Sequence, residues 1–417
     1  MRIVIDVTQL AGWQGKLTGI PRVMYEVCAR YAVSAHEVHF LGWDEGRAKY
    51  WDLPFDSLYD KPSNVKKPGQ VKETSVQVET AKEVSSLSRA RLSRESLSKI
   101  KHSMKKTVSF QKKDYGFTFE KNDIFIVLWG EWASAPYRKM LTHAVTISGV
   151  KLYQFSYDML PLVTPQYSSH STLSLELYSK EVYPLAKRII AISNNTKDDV
   201  ETWLKDHRLH CPPVDVIRLG EDFSKLKEVK PKIDFFNKKQ NFILCVGTIE
   251  SRKNHTVLYY AYKLAWSRGI TLPRLVIVGR RGWLTDDMYE LMTNDPMTKD
   301  QFIFLHDASD EELSWLYSNA QFTVYPSHYE GWGLPIAESI AHGTPCIASD
   351  SSSMPEIAGN IISYFTPTST DECLNAIIYL SNDQHREKAR KALMRYKPTT
   401  WDQTVDQIRD SIEGNND

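Results

Sequence analysis

Two glutamates flank a glycine loop in the segment YPSHYEGWGLPIAESIAHGTPCIASD, residues 325–350. Glu330 precedes Gly331 and Gly333, and Glu338 follows a proline that suits the first position of a helix. Glycine lets the backbone approach a ligand closely, and a helix N-terminus offers unpaired N–H groups to a phosphate. Carboxylates accept hydrogen bonds from vicinal hydroxyls, which sugars and ribose present. The segment therefore predicts a site for a phosphorylated sugar or nucleotide.

Two adjacent cations, Arg252 and Lys253, lie in CVGTIESRKNH, residues 245–255. This segment also follows a predicted strand and precedes a predicted helix, with Asn254 as its N-cap. Fixed cations at a helix start suit a diphosphate, because they stabilise the charge that a leaving diphosphate gains in a transfer reaction. No Asp-x-Asp pair ends a predicted strand, so the sequence predicts no metal site.

Composition indicates an ordinary globular protein. Of 417 residues, 42% are hydrophobic and 25% charged, and the length suits two or three domains. Five cysteines include no C-x-x-C pair, which favours small buried thiols in a reducing compartment. The N-terminal residues lack the apolar stretch of a signal peptide, and no apolar run reaches 18 residues. We expect a cytoplasmic protein, at most peripheral on the cytoplasmic face of the inner membrane.

The net charge of +1 hides a basic segment, residues 61–113, which holds 14 Lys and Arg but 4 Asp and Glu. It interrupts the first domain as an insertion. Three interpretations stay open: a solvated, mobile excursion, docking onto an anionic membrane, or nucleic-acid binding. Because the segment lacks interleaved aromatic residues, we expect no nucleic-acid partner.

Predicted strands alternate with helical stretches on both sides of a charged linker at residues 225–240. Such alternation implies parallel sheets joined by right-handed crossovers. The prediction is an α/β protein with two Rossmann-like, doubly wound domains, residues 1–234 and 235–395, and a final helix within 396–417 that packs back on the first domain. The predicted strands are residues 2–7, 38–41, 124–129, 151–156, 188–192, 214–219, 242–246, 274–278, 302–305, 322–325 and 345–348.

These motifs together resemble the retaining glycosyltransferases of family 4, which have the GT-B fold. The resemblance rests on the spacing of Glu330 and Glu338 around GWGLP, and on VGTIESRKNH, LVIVGRRGW, ASDEELSWLYSNA and PEIAG in the same order. SYDMLPL and AKRIIAISNNTKDDV extend it into the first half. It spans the chain apart from 61–113 and is strongest over 242–360. It implies two domains that face each other across a cleft where the chemistry occurs.

The resemblance also implies roles for matched residues. Glu330 would contact hydroxyls of the transferred sugar, Glu338 would hold the ribose, and the catalytic set would be Glu330, Arg252, Lys253 and Asp158. Asp158 is equally suited to cap a helix, and Gly19 to form a turn. Tyr157 stands where many members have histidine, so any role that needs an imidazole is in doubt. The other expected donor-site residues are Gly19, Gly247, Gly279, Arg280, Ala308, Gly331, Trp332, Gly333 and Leu334.

The implied activity is transfer of a hexose with retention, by front-side attack in which the departing phosphate helps to take the acceptor proton. No cofactor or metal is expected. The donor is a nucleotide-diphosphate sugar, GDP-mannose first, with UDP-glucose, UDP-galactose and dTDP-rhamnose open. The acceptor is a glycan or lipid-linked glycan of a surface polysaccharide such as O-antigen. The alternative is a catalytically degenerate binding protein of the same fold, which docks to an anionic membrane or nucleic acid through residues 61–113.

Overall fold

Apolar segments on either side of the linker form two separate β-sheets within one compact unit, Met1–Asp60 together with Phe117–Asp417. The computed structural model describes residues 2–15, 17–59, 116–168, 172–221, 227–237 and 241–414. The basic insertion predicted at 61–113 and part of the 225–240 linker lie outside the described residues. The three interpretations of the insertion therefore stay predictions.

The first sheet has seven strands in the order β3-β2-β1-β4-β5-β6-β7, in which β3 runs antiparallel to β2 and the other neighbours are parallel. Its strands are β1 (Arg2–Asp6), β2 (Glu37–Asp44), β3 (Lys49–Leu53), β4 (Ile124–Val127), β5 (Lys151–Ser156), β6 (Arg188–Ala191) and β7 (Val214–Val216). The accompanying helices are α1 (Ile20–Ala32), α2 (Ala135–Thr146), α3 (Leu160–Val163), α4 (Thr172–Glu181) and α5 (Asn194–Asp206).

The second sheet has six parallel strands in the order β10-β9-β8-β11-β12-β13. Its strands are β8 (Phe242–Val246), β9 (Arg274–Val278), β10 (Phe302–Leu305), β11 (Thr323–Tyr325), β12 (Cys346–Ser349) and β13 (Ser363–Phe365). Its helices are α6 (Asp234–Asn237), α7 (His255–Ser267), α8 (Asp286–Asn294), α9 (Asp310–Asn319), α10 (Leu334–Ala341), α11 (Met354–Ala358), α12 (Thr370–Ser381) and α13 (Asp383–Leu393). The last helix of the chain is α14 (Trp401–Glu413).

Central strands such as β4 and β12 are buried at every position, because helices cover both faces of each sheet. This arrangement confirms the predicted class of two doubly wound α/β domains. Two strands were not predicted. The antiparallel strand β3 belongs to a polar, aromatic edge segment, and β13 has only three residues, so neither carries a clear apolar run. Strands β4, β6 and β7 also end one to three residues earlier than predicted.

The carboxyl ends of the two sheets meet. A Cβ atom placed on Gly331, beyond β11, would lie 2.1 Å from the carbonyl oxygen of Tyr157, beyond β5, so only glycine permits this contact. Nearby, the Tyr329 hydroxyl donates to Asp199 at 2.6 Å. The Glu356 carboxylate of the second domain accepts from the backbone N–H groups of α5 at residues 194 and 195, at 2.7 and 2.8 Å. A carboxylate at a helix N-terminus is favourable, so this contact stabilises the domain interface.

Helix α14 returns to the first domain, where it packs against α1 and β6. The Tyr153 hydroxyl donates to the Ile412 carbonyl at 3.0 Å, and Thr404 donates to the Arg218 carbonyl at 2.8 Å. Trp401 opens this helix and is 1% exposed. Its ring lies so close to Gly220 that a Cβ atom there would fall 2.3 Å from an indole carbon. The indole therefore fixes the position of the last helix.

Replacing Trp401 with alanine is expected to lower the free energy of unfolding by about 3–5 kcal/mol, because a large buried ring leaves a cavity that the close backbone at Gly220 cannot fill. Denaturant unfolding followed by circular dichroism measures this change. Trp266→Ala is the matched control, since that tryptophan is 52% exposed and its loss should change the free energy by about 0.5 kcal/mol or less. Equal midpoints for the two variants would show that α14 does not depend on the indole.

Candidate active site

The candidate site forms where β8 and β11 lie side by side, at the point where the strand order of the second sheet reverses. In open parallel sheets, crevices for ligands form outside the carboxyl ends of strands at such a point. The loop after β8 contains a short turn at Ser251–Lys253, and the loop after β11 contains Glu330. Adjacent parallel strands therefore place two loops that are 77 residues apart in sequence next to each other.

Glu330 bridges both cations of the first loop. One of its carboxylate oxygens lies 2.5 Å from an Arg252 Nη atom, and the other lies 2.7 Å from the Lys253 Nζ atom. The second Nη atom of Arg252 lies 2.5 Å from the carboxylate of Glu250. Glu250 is 2% exposed and Glu330 is 7% exposed. We call these four residues, Glu250, Arg252, Lys253 and Glu330, the ion cluster. Its formal charges cancel.

Burial by itself would raise the pKa of Glu330, but the charges of Arg252 and Lys253 outweigh it and lower that pKa to about 2. The carboxylate therefore stays ionised throughout the neutral range. Burial disfavours the charge on Arg252, yet Glu330 and Glu250 raise its pKa. Two neighbouring loops thus hold the cations expected to bind a diphosphate, and their partner is the carboxylate expected to contact a sugar.

Glu338, on α10, accepts a hydrogen bond from the Tyr317 hydroxyl at 2.8 Å. Burial raises the pKa of Glu338, and Arg22 in the first turn of α1 opposes that rise. Arg22 therefore belongs to the first domain but acts on a carboxylate of the second. Sequence reasoning missed it, although it follows Pro21 directly at the predicted start of α1, where a cation can reach into the cleft.

The expected glycines bring backbones into contact. Gly247 and Gly279, which follow β8 and β9, have φ angles of 146° and 159°. A Cβ atom on Gly279 would lie 1.9 Å from the Gly247 carbonyl oxygen, so the two strand ends pack without side chains. Gly19 precedes α1 with a φ of 58° and open space on its Cβ side. Leu334 is the first residue of α10, directly after Gly333.

Arg280 and Ala308, two of the residues expected at the donor site, lie beyond the ends of β9 and β10. Arg280 is 82% exposed in its side chain and points toward Asp307 at 3.9 Å. Ala308 follows Asp307 and precedes α9. Arg280 is therefore on the surface, whereas Ala308 is partly buried against the hydrophobic core, both on the β9–β10 side of the sheet.

Two aromatic side chains near the glycine loop are buried. The Trp332 indole is 5% exposed in the hydrophobic core, with the Arg218 guanidinium 5.3 Å from its ring, so only the backbone of Trp332 can line the site. The Tyr157 ring is also buried, and burial raises the pKa of its hydroxyl far above neutral. Tyr157 therefore cannot act as a general acid or base as histidine can.

Asp158 accepts the backbone N–H of Leu160 at 3.0 Å, beside the start of α3, which fits the capping alternative. Asn254 does not cap α7 with its side chain as predicted, because its backbone is left-handed, with a φ of 55°. Its amide instead donates to the carbonyls of Pro326 and Pro367, at 3.0 and 2.8 Å. Asn254 thereby ties the loop after β8 to the loops after β11 and β13.

Replacing Glu330 with glutamine is expected to remove a pH-dependent part of the stability. The folded pKa of about 2 lies below the ordinary 4.5, so the carboxylate stabilises the fold fully above pH 4.5 and loses this effect as the pH falls toward 2. The shift corresponds to about 3 kcal/mol. Urea unfolding measured from pH 7 to pH 3 should give the wild type a free energy of unfolding higher than that of Glu330→Gln by this amount. The difference should shrink below pH 4.5.

Glu387→Gln is the matched control, because Glu387 lies exposed on α13. Its free energy of unfolding should follow that of the wild type at every pH. If the free energy of unfolding of the wild type exceeded that of Glu330→Gln by the same amount at every pH, Glu330 would not be an ionised carboxylate paired with the two cations.

Comparison with known proteins adds to this geometry. Residues 227–399 match the family model described as "Glycosyl transferases group 1". The O-antigen chain mannosyltransferase B of Escherichia coli is 34% identical over 171 residues, which are 40% of this chain and 44% of that protein. The O-antigen chain mannosyltransferase RfbU of Salmonella typhimurium is 31% identical over 195 residues, 46% of this chain and 50% of that protein. The chain thus spans half or less of the length of these relatives.

Solved structures resemble the chain over its whole length. Anabaena HepE in complex with UDP and glucose superposes with a TM-score of 0.58 at 15% identity and covers 99% of each chain. Sucrose-phosphate synthase from Thermosynechococcus elongatus gives 0.57 at 17% identity, over 99% of this chain and 98% of that one. At such identities the likeness concerns the fold, and it confirms the GT-B architecture. The chain has the GT-B fold, and its residues 227–399 are similar to the glycosyl transferases group 1 family.

Proposed function

We propose that the protein is a retaining glycosyltransferase that moves a hexose from a nucleotide-diphosphate sugar to a glycan in the synthesis of a surface polysaccharide. The observation that carries the proposal is the ion cluster, which sets Arg252 and Lys253 side by side at the carboxyl ends of β8 and β11. Two cations held in a largely buried site are suited to a leaving diphosphate, whose charge grows as the glycosidic bond breaks.

The other residues have roles that follow from their positions. Glu338 would accept hydrogen bonds from the ribose hydroxyls, since it is a partly buried carboxylate on the helix that starts directly after the glycine loop. The N–H groups at the start of α10 would receive a phosphate. Glu330 would accept from hydroxyls of the transferred sugar, and Gly19 lets the start of α1 approach the phosphates.

The mechanism we propose is front-side attack, in which the acceptor hydroxyl and the leaving phosphate lie on the same face of the sugar. The leaving phosphate oxygen takes the acceptor proton as the new glycosidic bond forms. Asp158 borders this space, because its Cβ would lie 3.3 Å from a Cβ atom on Gly331. We assign Asp158 to positioning of the backbone there, since it already holds the Leu160 N–H. Orientation and electrostatic stabilisation would supply most of the rate.

For the donor we propose GDP-mannose, with UDP-glucose, UDP-galactose and dTDP-rhamnose as the alternatives. The names of the E. coli and Salmonella relatives as O-antigen chain mannosyltransferases support this choice. For the acceptor we propose a growing glycan, free or on a lipid carrier. In the described part of the chain, no helix is both long and apolar enough to cross a membrane. Peripheral membrane contact and a cytoplasmic location remain part of the proposal.

A thermal-shift titration with GDP-mannose, UDP-glucose, UDP-galactose and dTDP-rhamnose tests the proposal. At 100 times its Kd, the true donor should stabilise the protein by about 2.7 kcal/mol, which raises the midpoint by a few degrees. Glu338→Gln should weaken binding of that nucleotide about 10- to 100-fold, because a hydrogen bond to a charged group is lost. Glu387→Gln should bind like the wild type.

The ribose contact has its own test in a double cycle. If GDP is the nucleotide, wild type should bind 2′-deoxy-GDP more weakly than GDP, whereas Glu338→Gln should bind the two alike. If both proteins preferred GDP over 2′-deoxy-GDP by the same factor, Glu338 would not contact the ribose. Stabilisation by none of the four sugars would instead favour the degenerate binding protein.

Chelation of metal ions is expected to leave transfer unchanged, because Arg252 and Lys253 supply the positive charge that a divalent cation would otherwise provide. Turnover measured in millimolar EDTA should equal turnover in millimolar magnesium, whichever of the four donors is used. A loss of activity in EDTA that magnesium restores would show that the two cations do not suffice.

A further inference from the structure

Within the described part of the chain, the Glu338 carboxylate receives one hydrogen bond, which the Tyr317 hydroxyl donates to its Oε2 atom at 2.8 Å. The other oxygen, Oε1, stays accessible to solvent, because Glu338 is only partly buried. The carboxylate is therefore held by the protein at one oxygen and open to a ligand at the other.

The ring and the backbone of Tyr317 are both fixed by the segment that follows α10. Tyr317 lies on α9 and is 1% exposed. Its ring stacks on the His342 ring, with centroids 5.1 Å apart and planes at 20°. Its carbonyl oxygen accepts a hydrogen bond from the Thr344 hydroxyl at 2.7 Å. The position of the Tyr317 hydroxyl is thus set before any ligand arrives.

His342 is fixed in turn through both of its ring nitrogens. Nδ1 donates to the Glu338 carbonyl oxygen at 2.8 Å, one turn earlier along the chain, and Nε2 lies 3.0 Å from Ser314 Oγ on α9. A closed series of contacts runs from the Glu338 backbone through the His342 and Tyr317 rings to the Glu338 carboxylate. Such support restricts the carboxylate to one orientation, because rotation about its side chain would break the bond from Tyr317.

The Tyr317 hydroxyl also favours the charged form of Glu338. Burial raises the pKa of Glu338, and the hydrogen bond from Tyr317 is the largest effect that opposes the rise. Arg22 and His342 also lower this pKa, and Asp310 raises it. Burial and the charge of Glu338 raise the pKa of Tyr317 well above its ordinary value, so its hydroxyl keeps its proton and donates it.

We propose that Tyr317 is a positioning residue, which holds the Glu338 carboxylate in the orientation in which Oε1 accepts a hydrogen bond from a ribose hydroxyl. The inference rests on the proposed transferase function and adds a residue to its donor site. Tyr317 itself would not touch the nucleotide, because its ring is buried and its hydroxyl is bonded to Glu338. Its contribution to binding should therefore pass through Glu338 alone.

The test compares two buried tyrosines. Tyr317→Phe removes the hydroxyl but keeps the ring, and water can reach the partly buried carboxylate, so the fold should persist. Tyr262→Phe is the matched control, because Tyr262 is 3% exposed and its hydroxyl donates to the Pro273 carbonyl oxygen at 2.6 Å. Pro273 precedes β9, at the end of that strand opposite the site. The probes are GDP, UDP and dTDP, with 2′-deoxy-GDP and 2′-deoxy-UDP, titrated by calorimetry.

We expect Tyr317→Phe to weaken binding of the nucleotide that the wild type binds by about 2- to 10-fold, because a carboxylate that is free to rotate must be ordered on binding. Its preference for GDP or UDP over the 2′-deoxy form should also fall. In the Glu338→Gln background, Tyr317→Phe should cause no further loss. Tyr262→Phe should match the wild type in each measurement.

The pH dependence of binding gives a readout that loosened packing alone would not change. Without the Tyr317 hydroxyl, the folded pKa of Glu338 is higher, so Glu338 loses its charge at a higher pH as the pH falls. The pH at which binding weakens should therefore be higher for Tyr317→Phe than for the wild type and Tyr262→Phe. The phosphates of the free ligand titrate alike in all three experiments.

Equal affinities and equal pH profiles for Tyr317→Phe and Tyr262→Phe would overturn the role of Tyr317. An equal loss of affinity from Tyr317→Phe in the wild-type and Glu338→Gln backgrounds would overturn it too, because the effect would then not pass through the carboxylate. Failure of the proposed function gives a different result: the wild type itself would bind none of the three nucleotides, and the role of Tyr317 would fall with the transferase proposal.

Discussion

Two buried carboxylates meet two partly buried cations at one point, and this meeting constrains the loops of the second domain. Each charge has lost most of its water, and removal of one partner would leave another buried without compensation. Glu330 meets both cations and Glu250 holds the far side of Arg252, so the loops after β8 and β11 must keep their relative positions to within a hydrogen bond. The side-chain amide of Asn254 also joins the loop after β8 to the loop after β11 by a hydrogen bond.

The same cluster is linked to the arrangement of the two domains through Tyr329. Its carbonyl oxygen accepts from Arg252 at 2.8 Å, and its hydroxyl donates to Asp199 of the first domain at 2.6 Å. Next to it, Gly331 touches the Tyr157 carbonyl. A rotation of one domain against the other therefore changes the contacts of a residue that holds Arg252. Domain geometry and cation geometry are coupled through one side chain and its backbone.

The motifs sufficed to predict the doubly wound fold and the loops that approach each other, because strand–loop–helix spacing is a local property. The motifs did not predict which side chains pair with each other inside the site. The motifs did not single out Glu250, although its partner Arg252 lies two residues away. Arg22 acts on Glu338, which is far away in sequence, and its one local signal is its place at the predicted start of α1. The conformation of Asn254 follows from carbonyls beyond β11 and β13, which override its local preference for a helix cap. For Tyr157, the residue type predicted a lost imidazole, but only packing shows that the ring is buried.

In the proposed reaction, the balanced charges of the ion cluster determine how a diphosphate is received. Because Glu250 and Glu330 offset Arg252 and Lys253, long-range attraction of an anion by the cluster is weak, and short-range contacts must provide the affinity. A diphosphate at the start of α10 competes with Glu330 for the cations. Each oxygen that a cation leaves needs a new donor, because a buried carboxylate without partners is costly. In the reaction we propose, a hydroxyl of the transferred sugar would supply that donor, so the cation-paired Glu330 of this structure and the sugar-contacting Glu330 expected from the motif would be two states of one exchange.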